Sequence, residues 1–132
     1  MCECYNVLMR IKCSEGDVIA VLLYVLILNK LECMPKLLSA LMRAGIKGGT
    51  VYDSMGMVQY VGHDMTEPPP IFGSLRKYLH PDGGNNKTLL LLLEKEQLPV
   101  VKEIVKEMTG GLSHPDVGIA FTVPVTDTDG VL

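Results

Sequence analysis

The stretch Val18–Leu28 reads VIAVLLYVLIL, and a shorter counterpart, Thr88–Leu93, reads TLLLLL. Neither stretch alternates apolar with polar residues, which is typical of a strand that is buried on both faces. The first run is too short for a membrane-spanning helix, which needs about 20 apolar residues. It is followed by Asn29-Lys30-Leu31-Glu32 rather than by the small residues of a signal-peptide cleavage site. We therefore interpret both stretches as central strands of a sheet in a cytoplasmic protein.

Helical periodicity follows each of these apolar stretches. The two periodic segments are Met34–Gly45 and Gln97–Gly110. Each carries apolar residues at spacings of three and four, a proline near its start and a glycine at its end, which are the usual signals of an amphipathic helix. The polar residues of the second segment are predicted to form a solvated face, and they are Lys102, Glu103, Lys106 and Glu107.

The order of the predicted elements defines the fold class. Further strand signals at Thr50–Met57 and Gly118–Val125 complete the order βαββαβ. This order predicts an α+β, ferredoxin-like sandwich, in which a four-stranded antiparallel sheet carries two helices on one face and its first and third strands are central. Because those strands are apolar toward both faces, the uncovered face requires a second copy of the chain. We therefore predict a homo-oligomer.

Length, composition and charge limit the class of protein and the kinds of partner that the chain can have. The chain has 132 residues, with 48% hydrophobic and 20% charged residues, as expected for a globular protein. We predict one domain over residues 18–132, and we interpret residues 1–17 as a disordered N-terminal extension or as residues that precede the native start. A net charge of −3 and an aromatic content of 5% argue against nucleic-acid binding.

A long connector joins the second and third predicted strands, from Gln59 to Asn86. About two to five residues would suffice to join two antiparallel strands, and long connectors in compact domains are usually functional or disordered. The prolines of Pro68–Pro70 stiffen this one. We predict that the connector is an effector element that contacts a protein partner, and its candidate contact residues are Phe72, Arg76, Lys77 and Tyr78.

The chain resembles the nitrogen-regulatory P-II signalling proteins and their P-II-like relatives over roughly residues 22–131. The resemblance rests on the order of elements, on Ala44-Gly-Ile-Lys-Gly-Gly-Thr-Val51 and on Gly56-Met-Val-Gln59, followed by a long loop. The pattern Ile71-Phe-Gly-Ser-Leu-Arg76 with Asn86-Lys-Thr88 resembles an uncharacterised P-II-like subgroup. The resemblance implies a non-catalytic homotrimer whose sheets face inward. It also implies adenine-nucleotide clefts between subunits, at the base of a mobile effector loop (the T-loop).

The same resemblance implies the ligand-binding residues. Thr50 matches a position near the adenine, Gly56 and Gln59 match the base of the mobile loop, and Gly110 and Gly111 match a phosphate-binding loop. The chain departs from the family in the stretch 112–126, which contains neither lysine nor arginine. Because a triphosphate would lack cationic partners there, we expect AMP or ADP rather than ATP, or no nucleotide at all. The cations left elsewhere to balance phosphate charge are Lys47, Arg76, Lys77 and Lys87. Of these, we predict Lys87 as a ligand-binding residue.

Metal binding and catalysis are the alternatives to a regulatory function. Imidazole and carboxylate groups recur together in His63-Asp64, His80-Pro-Asp82 and His114-Pro-Asp116, and such groups suit divalent metals. A metal site would bring the chain toward the CutA divalent-ion family, which is a related trimer. Pro and Asp are also ordinary turn residues, and we predict no metal site. No nucleophile elbow, Walker loop or His-Glu-x-x-His motif is present, so we expect no enzymatic activity.

Overall fold

The computed structural model describes residues 21–64, 70 and 84–130. Its strands and α-helices follow the chain as β1 (Val21–Leu28), α1 (Met34–Arg43), β2 (Gly49–Ser54), α2 (Met57–Asp64), β3 (Asn86–Glu94), α3 (Leu98–Thr109) and β4 (Gly118–Pro124). Short 3₁₀ turns, Leu31–Cys33 and Lys95–Gln97, lead into α1 and α3. None of the helices in this described part is long and apolar enough to cross a membrane.

The strands form one antiparallel sheet in the order β2-β3-β1-β4. In the middle of the sheet, Tyr24 of β1 lies opposite Leu91 of β3 on one side and Thr122 of β4 on the other. The two long apolar stretches therefore supply the central strands. The predicted ferredoxin-like α+β sandwich is confirmed.

The hydrophobic core lies between the sheet and the helices α1 and α3. Side chains alternate along a strand, and one set from β1 and β3 is buried with the apolar stripes of both helices. The buried strand residues are Tyr24, Leu26, Leu28, Leu89, Leu91 and Leu93, and the buried helix residues include Leu37, Leu41, Val101 and Val105. Full burial of one such leucine or valine contributes roughly 1.5–3 kcal/mol. This burial holds α1 and α3 on one face of the sheet, as predicted.

Both core helices begin within one residue and end within two residues of the predicted bounds. Pro35 and Pro99 occupy the first turns of α1 and α3, where the missing N–H has no partner to lose. Gly45 follows α1 with φ 86°, and Gly110 follows α3 with φ 80°. Glycine adopts this left-handed conformation without a steric penalty, so both residues stop their helices.

The opposite face of the sheet is also apolar, and we call it the open face. The strand register places on it Leu23, Val25 and Ile27 of β1, Leu90 and Leu92 of β3, and Ile119, Phe121 and Val123 of β4. The three β4 residues remain 59%, 46% and 41% exposed, respectively. The central strands are therefore apolar toward both faces, as the sequence indicated, while α1 and α3 cover only one of them.

The structure corrects the predicted start of the connector. Residues 59–64 are predicted to begin the loop, but they belong to the helix α2. The preceding strand ends at Ser54 rather than Met57. This helix escapes a periodicity argument because its pattern is inverted: Gln59 is buried, whereas Met57 and Tyr60 are exposed. Residues 65–69 and 71–83 lie outside the described part, and with them the predicted contact residues Phe72, Arg76, Lys77 and Tyr78.

Candidate functional site

A polar cluster joins β2 and β3 at the base of the connector. The Ser54 hydroxyl donates a hydrogen bond to Asn86 Oδ1 over 2.6 Å, and Thr88 Oγ1 lies 2.7 Å from Ser54 Oγ. Because Ser54 has a single hydroxyl proton, Thr88 is the donor in the second hydrogen bond. Thr88 is buried. The three side chains lie at the end of the open face where the chain leaves the sheet, so they fix the two points from which the connector departs.

Gly56 and Gln59 continue from this cluster into α2. Gly56 lies two residues after the end of β2, and its carbonyl accepts a hydrogen bond from the Tyr60 N–H in the first turn of the helix. A Cβ at Gly56 would first meet Asn86 Nδ2 at 3.9 Å, which is ordinary contact. Space alone therefore does not demand glycine there. The Gln59 side chain is turned inward and is buried, so these two predicted ligand residues lie at the connector base, as expected for that role.

Thr50 and Lys87 occupy opposite faces of the sheet. Thr50 is exposed on the open face of β2, opposite Leu90. Lys87 lies opposite Asp53, and its Nζ is 2.6 Å from Asp53 Oδ1. This solvated ion pair contributes at most about 1 kcal/mol, but it already gives the Lys87 ammonium a carboxylate partner. Lys87 is therefore a poorer phosphate ligand than its sequence position suggested.

Gly110 and Gly111 lie at the other edge of the fold, where α3 leads into β4. Strands β3 and β1 separate β2 from β4. With neighbouring strands about 4.8 Å apart, the two edges are separated by roughly 14 Å. A single chain therefore does not bring Thr50 together with the two glycines. A common site would need β2 of one subunit beside β4 of another.

Gly111 also lines a cavity of about 590 Å³ between α3 and β4. Two lysines of α3, Lys102 and Lys106, line the same cavity. Both lysines are exposed, as predicted, but helical periodicity does not reveal the cavity beside them. A signal was nevertheless present, because the lysines are one helical turn apart and the second lies shortly before the glycine pair. This cavity therefore has cations at its rim, although residues 112–126 contain none.

The histidine–aspartate pairs were the basis for the alternative of a metal site. Within the described ranges, no group of three or more His, Cys, Asp or Glu side chains could hold a metal ion. His114 and Asp116 are exposed in the turn before β4, and Asp116 has φ 62°, a conformation that aspartate tolerates in turns. The side chains of His63, Asp64, His80 and Asp82 lie outside the described part.

Comparison with known structures supports the fold. The crystal structure of Arabidopsis thaliana PII bound to citrate is similar with a TM-score of 0.54 and 19% identity, covering 80% of this chain and 78% of that one. A functionally unknown protein from Pediococcus pentosaceus ATCC 25745 is similar with a TM-score of 0.53 and 17% identity, covering 86% of this chain and 100% of that one. No protein-family model and no curated protein matches the sequence. At these identities the comparison shows a P-II-like fold.

Proposed function

We propose that the protein is a non-catalytic, P-II-like regulator. It assembles as a homotrimer, senses a small molecule in clefts between subunits, and acts on a protein partner through the connector. The observation that carries this proposal is the split location of the candidate residues: Gly56 and Gln59 lie at the connector base, whereas Gly110 and Gly111 lie at the far edge of the fold. Such a site is complete only in an assembly.

The open face supplies the reason to assemble. Its β4 residues are large and exposed, and a contiguous apolar patch of this kind is typical of a protein contact surface. A second copy of the chain presents the same surface, so apolar side chains would cover one another. In a trimer whose three subunits pack through their open faces, we expect the edge strand β2 of each subunit to lie beside the edge strand β4 of a neighbour. The oligomer and the ligand site are therefore linked in this proposal.

The proposed ligand is an adenine nucleotide of low charge, AMP or ADP rather than ATP. Thr50 and the polar cluster at Ser54 offer hydroxyl groups but no cation, and Lys87 is held by Asp53. The stretch 112–126 adds neither lysine nor arginine. A third phosphate would bring charge that these groups do not balance, because phosphate recognition depends on charge-assisted hydrogen bonds.

The connector is the proposed contact with a partner. Its sequence combines the cations Arg76 and Lys77 with Phe72 and Tyr78, which together suit an acidic surface with an apolar centre. It departs from the ordered base formed by Ser54 and Asn86, so a ligand bound there can alter the direction in which the connector leaves the sheet. Replacing residues 65–83 with a short Gly-Ser linker should preserve the oligomer and ligand binding and remove partner binding.

Light scattering and calorimetry test the proposal together. We expect the mass of a trimer at micromolar concentration, and saturable binding of AMP and ADP that is at least as tight as that of ATP. Thr50→Val should weaken nucleotide binding, whereas Thr126→Val, a matched change at another exposed threonine, should leave it unaltered. A monomeric mass, or no binding of any adenine nucleotide at millimolar concentration, would contradict the proposal.

A further inference from the structure

The cavity between α3 and β4 is complete within one chain. The residues of β4 that share a face with Leu28, Leu26 and Tyr24 of β1 are Gly118, Ala120 and Thr122. All three have small side chains and cannot fill the space beside α3, which leaves the cavity of about 590 Å³. No second subunit is needed to form its walls. It shares Gly111 with the inter-subunit cleft of the proposed function, but its other lining residues belong to α3, β1 and β4 of one chain and the turn between α3 and β4.

Tyr24 lines this cavity from the centre of the sheet. Its side chain is only 2% exposed, yet none of the described residues accepts from or donates to its hydroxyl group. The hydroxyl oxygen itself is not sealed in the core but reaches the open space of the cavity. Burial also raises the pKa of Tyr24 above the ordinary 10.0, so at neutral pH the group is an uncharged phenol that can donate. A ligand with a hydrogen-bond acceptor would satisfy it.

The rim of the cavity is cationic and its wall is apolar. Lys102 and Lys106 stand at i and i+4 on α3, a spacing that puts them side by side on the helix surface. Ser113 and Thr122 add hydroxyl groups, and Val105, Leu112 and Ala120 add apolar surface. No carboxylate is among the lining residues that the structure describes. Two cations beside an apolar wall match a ligand that has an anionic head and an apolar body.

We propose that this cavity binds an amphipathic organic carboxylate. The carboxylate group pairs with Lys102 and Lys106, the apolar body packs against Val105 and Leu112, and an acceptor on that body takes the hydrogen bond of the Tyr24 hydroxyl. The site does not use Thr50, although it shares Gly111 with the proposed inter-subunit cleft. Each subunit carries one complete site.

Calorimetry with defined probes tests the assignment on the full chain. The ligand probe is 3-(4-hydroxyphenyl)propionate, compared with its neutral amide, with 3-phenylpropionate and with inorganic phosphate. We expect saturable binding of the first probe, binding of the amide weaker by at least about tenfold because the charge-assisted contacts are lost, and no binding of phosphate. Loss of the phenol acceptor in 3-phenylpropionate should weaken binding several-fold.

Matched variants locate the site. Lys102→Gln with Lys106→Gln should weaken binding of the carboxylate at least about tenfold, whereas Lys30→Gln with Lys95→Gln, two exposed lysines outside the cavity, should not. Tyr24→Phe should remove the preference for 3-(4-hydroxyphenyl)propionate over 3-phenylpropionate, and it should not lower the thermal midpoint, since the hydroxyl has no described partner to lose.

Three results would overturn the assignment: no saturable binding of the carboxylate at millimolar concentration, an amide that binds as tightly as the acid, or a Lys102 and Lys106 double variant that binds like the unaltered protein. Thr50→Val serves to separate this site from the nucleotide cleft. It should leave carboxylate binding unchanged, and a parallel loss of both ligands would show that the cavity is not an independent site.

Discussion

Ser54 joins the two strands that flank the connector. Its hydroxyl group donates to Asn86 and accepts from Thr88, whose own hydroxyl is buried. We predict that Ser54→Ala destabilises the fold by about 1–3 kcal/mol, because it leaves the Thr88 hydroxyl without its acceptor and Asn86 without its donor. The free energy of unfolding, measured by urea titration, checks this value.

Thr88→Val provides the matched control for the same hydrogen bonds. It replaces the buried hydroxyl with a methyl group of similar shape, so no unpaired donor remains. The double variant Ser54→Ala with Thr88→Val should therefore cost less than the sum of the single changes. The cluster would not stabilise the connector base if the losses in unfolding free energy of the two single variants simply added up in the double variant. The same would follow if Ser54→Ala were as stable as the unaltered protein.

Helix α3 ends at Gly110, and this glycine has a structural role whether or not it also touches a ligand. Its φ of 80° is left-handed, and a Cβ added there would meet nothing within 4 Å. We predict that Gly110→Ala costs about 1 kcal/mol of stability, entirely through backbone strain. Thermal unfolding measures the effect. Gly48→Ala is the control, because Gly48 also has open space but no left-handed φ. Equal effects at both glycines would contradict this explanation.

Elements with regular patterns were predictable, and those with inverted patterns were not. The apolar run of β1 and the stripe of α3 identified their elements because the buried residues are apolar and evenly spaced. Helix α2 was missed because it buries Gln59 and exposes Met57. The pairing of Lys87 with Asp53 depends on the register of two strands far apart in sequence. The cavity beside Lys102 depends on how helix and strand pack. Periodicity contains neither kind of information.

In the part of the chain that the structure describes, α1 and α3 cover one face of the sheet only, and this asymmetry links folding to assembly. Helices α1 and α3 cover the face that carries Leu26 and Leu91, so a single chain has a complete core on that side. The open face exposes Ile119, Phe121 and Val123 to water in the single chain. Changes to the outermost of these residues should therefore affect assembly more than the fold of one subunit.

Ile119→Asp separates assembly from folding. Ile119 is 59% exposed in the single chain, so a charge there remains hydrated in a monomer, but it would be buried without a partner in an assembly that covers the open face. Burial of an unpaired charge costs several kcal/mol, and we predict that the variant dissociates while its circular dichroism stays unchanged. Val100→Asp is the matched control, since Val100 is 46% exposed on α3, away from the open face. It should keep the oligomeric mass in light scattering. If Ile119→Asp remained fully assembled, the open face would not be the subunit interface.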